Sequence, residues 1–85
     1  MTCVLYILKS DIKTRHYIGI ADDVQIRLLR HNSGGVRSTK AYRPWHIVHV
    51  EQFPDKATAR TRESFLKKTA LARQELFSKI DGPIV

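Results

Sequence analysis

The chain has 85 residues, 42% hydrophobic and 27% charged, which suits one small core and excludes both a multidomain assembly and a disordered, charge-swollen tail. Fifteen Lys and Arg against eight Asp and Glu leave a formal net charge of +7, so the expected partner is a polyanion, nucleic acid ahead of an anionic membrane surface. The single cysteine excludes an internal disulfide and has no Cys or His at zinc spacing, and no apolar run approaches the ~20 residues of a membrane span. A reducing, cytoplasmic setting with no membrane partner is the expectation.

The run Cys3-Val4-Leu5-Tyr6-Ile7-Leu8 is apolar, β-branched and aromatic, and reads as a strand in which Cys3 is a small buried hydrophobe. The polar stretch Lys9 to Arg15 loops to His16-Tyr17-Ile18-Gly19-Ile20, and the two runs form an antiparallel hairpin. Gly19 inside a strand implies a bulge or the close approach of another group. Asp22 or Asp23 caps a helix from Val24 that carries Val24, Ile26, Leu28 and Leu29 and ends near Asn32-Ser33-Gly34-Gly35, with Arg27 and His31 four residues apart on one face.

Val36 to Pro44 is irregular and basic, and Trp45 to Glu51 alternates as a half-buried strand does, with Phe53-Pro54-Asp55 ending it. Asp55 caps a helix to about Lys68 whose inward positions are Ala59, Glu63 and Leu66, with Ala70 a further candidate. Thr69 caps another carrying Leu71, Leu76, Phe77 and Ile80. The order β-β-α-β-α-α predicts an α+β domain over residues 1–85, a small three-stranded antiparallel sheet flanked by helices.

Val4-Leu5-Tyr6, Tyr17-Ile18-Gly19, Asp23 to Arg27, His31-Asn32-Ser33-Gly34, Thr39-Lys40, Arg43-Pro44-Trp45 and Glu63 with Leu66-Lys67-Lys68 follow one another along nearly the whole chain. In order and spacing this series resembles the GIY-YIG nuclease superfamily, especially its short stand-alone members and the nuclease domain of the bacterial excision-repair endonuclease. The second signature motif is intact, and the first keeps only its tyrosine. Two positions depart from the pattern: Ala21 stands where a threonine is common, and Glu75 where many nucleases carry an asparagine.

The resemblance implies a GIY-YIG-like fold and an endonuclease that hydrolyses DNA phosphodiesters with one Mg²⁺ or Mn²⁺, leaving a 5′-phosphate and a 3′-hydroxyl. RNA stays open as a substrate. With 85 residues and no separate recognition domain, structure-selective or weakly selective cleavage in repair or recombination is expected over sequence-specific binding. Two other classes are a nucleic-acid-binding module without turnover and an adaptor whose basic face binds an acidic protein.

Glu63 takes the metal-ligand role by position, and Mg²⁺ accepts one or two carboxylates while keeping several waters; the alternative is an ordinary pair with an inward-leaning Arg27. Tyr6 and Tyr17 on neighbouring strands can share a face and meet one phosphate, either acting as general base, or can simply pack against each other. Arg27 suits a pentacovalent phosphate because its fork binds two oxygens and stays protonated. His31 fits two readings, a proton relay from a tyrosine or a helix C-terminal histidine favoured by the dipole. The family places a lysine near the site at Lys40, a further catalytic candidate. Arg37, Lys40 and Arg43 recur every three residues beside Tyr42 and Trp45, a spacing suited to phosphate contact and base stacking, or to a solvated loop. His46 and His49, three apart in a strand, are expected on opposite faces and so share no metal; His16 has no assigned role.

Overall fold

The computed structural model describes residues 2–82; Met1 and residues 83–85, which the single-domain expectation includes, lie outside them. Strand β1 (Cys3–Ser10) pairs antiparallel with β2 (His16–Ala21) and with β3 (Trp45–Phe53) in one sheet of order β2-β1-β3. Because β1 is central and covered on both faces, it needs apolar residues at every position, and Cys3 to Leu8 are all buried. The hairpin loop is shorter than its polar sequence predicts. Ser10 stays in β1, where its Oγ donates to the Tyr42 carbonyl at 2.6 Å and accepts from the amides of Ile12 and Lys13.

Helix α1 (Val24–Asn32) covers one face, where Tyr6, Leu8 and Trp45 pack with Tyr17, Val24, Leu28 and Tyr42. Helices α2 (Lys56–Lys68) and α3 (Ala70–Asp81) cover the other, where Leu5, Ile7, Ile18 and Leu66 pack with Leu76, Phe77 and Ile80. Of the two candidate caps for α1, Asp23 takes the role and accepts from the amides of Gln25 and Ile26. Asp55 caps α2 through the Thr58 amide at 2.7 Å.

Three local expectations are corrected. Ala70 and Leu71 are exposed, not inward: the backbone leaves helical geometry at Thr69 (φ −113°, ψ 90°), so the stripe of Ala59 and Leu66 ends with α2. Ile26 and Leu29 are exposed although apolar, because of the apolar residues of α1 only Val24 and Leu28 pack on the sheet. His46 and His49 do not fall on opposite faces. Val48 is an extra residue between the pairs Leu8↔Ile47 and Ile7↔His49, and with that irregularity both histidines oppose odd residues of β1, Lys9 and Ile7. They still share no ligand, since His46 pairs with Asp11 and His49 with Glu51. His16 stacks on Phe77 with ring centroids 4.0 Å apart and joins Lys9 in pairing with Asp81, which ties α3 to the hairpin. Among the described residues no helix is long and apolar enough to cross a membrane.

Candidate active site

The register Tyr6↔Gly19 and Leu8↔Tyr17 sets the two tyrosines diagonally on the α1 side of the sheet, ring centroids 6.2 Å apart. Gly19 makes this possible. A Cβ there would lie 2.6 Å from the Tyr6 hydroxyl, 2.7 Å from its Cζ and 3.0 Å from Cε1 of Tyr17. The strand glycine therefore marks a close approach, and the β1–β2 register is regular across it.

His31 is the only buried residue among the described residues of α1, 1% exposed. Its Nε2 lies 3.0 Å from the Tyr6 hydroxyl and its Nδ1 2.8 Å from Oγ1 of Thr39, itself buried. The Thr39 hydroxyl donates to the Val36 carbonyl at 3.3 Å, so it accepts from Nδ1–H. That direction assigns the neutral tautomer with a lone pair on Nε2, which receives the Tyr6 proton. Burial, with the charges of Arg27 and Arg30, lowers the imidazole pKa below its ordinary value and keeps the ring neutral. Of the two readings of His31, a charged histidine resting on the helix dipole does not fit this environment.

The phenol of Tyr6 is pushed above its ordinary pKa, first by burial, then by Tyr17 and Glu63, while the guanidinium of Arg27 pulls the other way. Tyr6, Tyr17, Arg27, His31 and Glu63, drawn from β1, β2, α1 and α2, thus meet in one electrostatic neighbourhood. Glu63, its side chain 18% exposed, pairs with Lys67 at 3.2 Å, one turn along α2, and not with Arg27. Among the described residues there is no group of three or more His, Cys, Asp or Glu that suits a metal ion. A lone half-buried carboxylate fits a hard cation that takes its remaining ligands from water and phosphate, and would not hold zinc.

The other sequence candidates lie outside this cluster. Lys40 is exposed on a short 3₁₀ turn, Lys40–Tyr42, and Arg37 is exposed before it. The Arg43 guanidinium lies over Gly34, whose φ of +85° is a conformation that L side chains rarely adopt. Trp45 is not a stacking surface: it is 4% exposed, and its indole donates to the Thr39 carbonyl at 2.9 Å. Tyr42 remains half-buried with the Arg15 guanidinium 4.4 Å over its ring. Glu75 is exposed on α3 and forms no hydrogen bond to the cluster among the described residues.

Two supporting residues escaped sequence reasoning. Thr39 fixes the His31 tautomer, and Asn32 clasps the Trp45 backbone with bonds of 2.7 and 3.0 Å that lock the end of α1 to the start of β3. Both lie within the motifs that carry the resemblance, which is the one signal that pointed at them.

The family model described as the GIY-YIG catalytic domain matches residues 2–76. A UPF0213 protein of Halobacterium salinarum is 33% identical over 72 residues, spanning 84% of this chain and 92% of its own. A UPF0213 protein of Staphylococcus aureus is 42% identical over 52 residues, and that match spans 60% of this chain and 63% of the relative. The solution NMR structure of a UPF0213 protein from Bacillus halodurans superposes with a TM-score of 0.57 at 29% identity, covering 96% of this chain and 87% of the other.

Proposed function

Because the chain belongs to the GIY-YIG catalytic domain family, a family of nuclease domains, we propose that it is a metal-dependent endonuclease hydrolysing DNA phosphodiesters with structural or weak selectivity. The observation that carries this reading is the Tyr6–His31–Thr39 chain of hydrogen bonds beside Arg27 and Glu63. Any buried tyrosine hydroxyl needs an acceptor; what supports the catalytic reading is that this acceptor is a titratable imidazole held in one tautomer by Thr39, beside Arg27.

In this reading the scissile phosphate lies between the tyrosine face and α1, with Arg27 across two nonbridging oxygens. Tyr17, half-buried with its ring 4.7 Å from that of His31, lines the approach and orients the attacking water. Tyr6 accepts the water proton as its own proton passes to Nε2 of His31. Thr39 holds Nδ1–H and the ring orientation throughout. A phosphate bound against Arg27 offsets the cationic field that depresses the His31 pKa, so the acceptor becomes more basic once substrate is in place.

Glu63 would be the protein ligand for Mg²⁺ or Mn²⁺, and Lys67 bonds only its Oε2, so the other carboxylate oxygen needs no partner to leave. A bound divalent ion would stabilise charge on the phosphate and leaving oxygen. Arg37, Lys40 and Arg43 contact flanking phosphates, with Lys40 nearest the motif that carries Thr39.

The test is a panel of labelled single-stranded, duplex, nicked, flapped and branched DNA and RNA incubated with Mg²⁺ or Mn²⁺, with Glu63→Gln alongside. Metal-dependent cleavage by the wild type, absent in the variant, is expected. Binding without cleavage on every substrate would leave a nucleic-acid-binding module instead.

A further inference from the structure

Past the end of β2, α1 and the start of α2 enclose an open groove of about 400 Å³ lined by Arg27, Arg30, Lys56 and Arg60, with Asp22 and Asp23 also on its wall. None of the four cations forms an ion pair among the described residues, whose pairs involve other lysines, arginines and histidines. Of the two acids, Asp23 turns Oδ1 to the α1 amides and Asp22 is exposed, so the groove is net cationic. Arg27 and Arg30 are three apart on α1, and Lys56 and Arg60 four apart on α2. Like charges at these spacings repel along one helix face, and an anion in the groove removes that repulsion.

The groove is continuous with the proposed phosphate site, because Arg27 belongs to both. It also lies at the opposite end of the sheet edge from the basic 36–44 segment. That segment is bound to the hairpin-loop end through Ser10 and Tyr42, Asp11 and Pro44, and Arg15 over Tyr42. Between the two ends runs β2, six residues whose five steps span roughly 17 Å at ~3.3 Å each, about the length of five phosphate-to-phosphate steps of one duplex strand at ~3.4 Å each.

We infer that Arg30, Lys56 and Arg60 form a second phosphate-binding arm, so that one DNA strand runs along the β2 edge with the scissile phosphate between this groove and the 36–44 segment. The inference rests on the nuclease reading for its central phosphate, and assigns the strand path that reading leaves open. The groove is open and carries three guanidinium groups and one ammonium group beside its apolar and acidic lining, and an open row of cations suits a continuous polyanion.

The experiment measures fluorescence anisotropy of labelled duplexes of increasing length against salt, in EDTA, for wild type and R30A/K56A/R60A, with metal-dependent cleavage by the wild type in parallel. The triple variant should bind roughly 10- to 100-fold more weakly near 0.1 M salt, with a log–log salt slope shallower by about 0.9 for each phosphate left without its cation. Wild-type affinity should rise with length until both arms are covered. Should circular dichroism show the triple variant unfolded, K56A/R60A gives the same reading with a smaller slope change. Unchanged affinity and slope, with the wild type cleaving, overturns the groove and spares the nuclease. A weakened variant, with a wild type that binds and never cleaves, supports the groove and removes the nuclease. A wild type that binds no nucleic acid overturns both.

Discussion

The Tyr6 hydroxyl donates to Nε2 of His31 across 3.0 Å in a site where both side chains are 1% exposed. A buried imidazole held neutral by burial, Arg27 and Arg30 has a folded pKa below its unfolded value near 6.5. Below pH 6.5 the unfolded chain therefore binds more protons than the native state, so stability falls as pH falls toward the folded pKa. Thermal midpoints should decline from about pH 6.5 downward, with a separate acid limb near pH 4. In that second window Glu51, whose carboxyl Arg62 and His49 hold below its ordinary value despite burial, loses its partners. His31→Gln should flatten the upper window and leave the lower one; a midpoint steady between pH 7 and 5 would count against a buried neutral His31.

The tyrosines should separate by stability. Tyr6→Phe leaves Nε2 of His31 buried without a donor, a loss of about 1–3 kcal/mol, readable in urea unfolding. Tyr17→Phe removes a hydroxyl from a half-buried ring and should unfold within about 0.5 kcal/mol of the wild type. Both should cleave more slowly, by ~10²–10⁴-fold for a group that transfers or positions a proton. Full cleavage by the Tyr6→Phe, Tyr17→Phe double variant ends the claim that this face is the active site.

Gly19→Ala should act on Tyr6 at a distance in sequence. The new methyl meets the Tyr6 ring end at 2.6–2.7 Å, so Tyr6 must move away from His31, at about 1–3 kcal/mol for an overpacked site. Nitrogen NMR shifts of the His31 ring should change with it. Unchanged shifts together with normal stability would mean that the sheet absorbs the methyl without moving Tyr6.

Glu63→Gln should barely change apo stability, because its partner Lys67 is 52% exposed at the side chain and exposed i,i+4 pairs contribute only about 0.3–0.5 kcal/mol. Had Arg27 been the partner, the loss would be larger. Single-turnover cleavage should disappear while DNA binding persists, and Mn²⁺ should stabilise the wild type against heat more than the variant. Metal-dependent cleavage by Glu63→Gln would remove the metal assignment.

Lys40→Ala with Arg43→Ala should weaken binding to unrelated sequences by similar factors, since phosphate contacts carry no sequence information. The salt slope should become shallower by about 0.9 for each phosphate no longer neutralised. Equal affinity and slope in the double variant would place the DNA-binding surface elsewhere.

The elements and their order were legible in the chain because each rests on local physics. An unbroken apolar run made β1, an aspartate cap began α1 and α2, and Thr69 broke the long helical region into α2 and α3. The close approach at Gly19 was legible too, since a strand glycine needs a reason. What no local pattern contains is which groups meet. The extra Val48 puts His46 and His49 on one face, overriding the period of 2. Packing of α1 through Val24 and Leu28 sinks His31 against Tyr6 and Thr39, and that burial, which no local pattern contains, is the first cause of its neutral state, ahead of the nearby charges of Arg27 and Arg30. Thr39 sets its tautomer only because the 36–44 segment folds back over α1, and Trp45, aromatic in a basic stretch, becomes core for the same reason. The Glu63–Lys67 pair is the exception, since its i,i+4 spacing was itself a local pattern in the sequence. Period and capping act over four residues or fewer, whereas burial, pKa and hydrogen-bond direction depend on the whole set of atoms around a group, and that set exists only once the sheet and its helices are assembled.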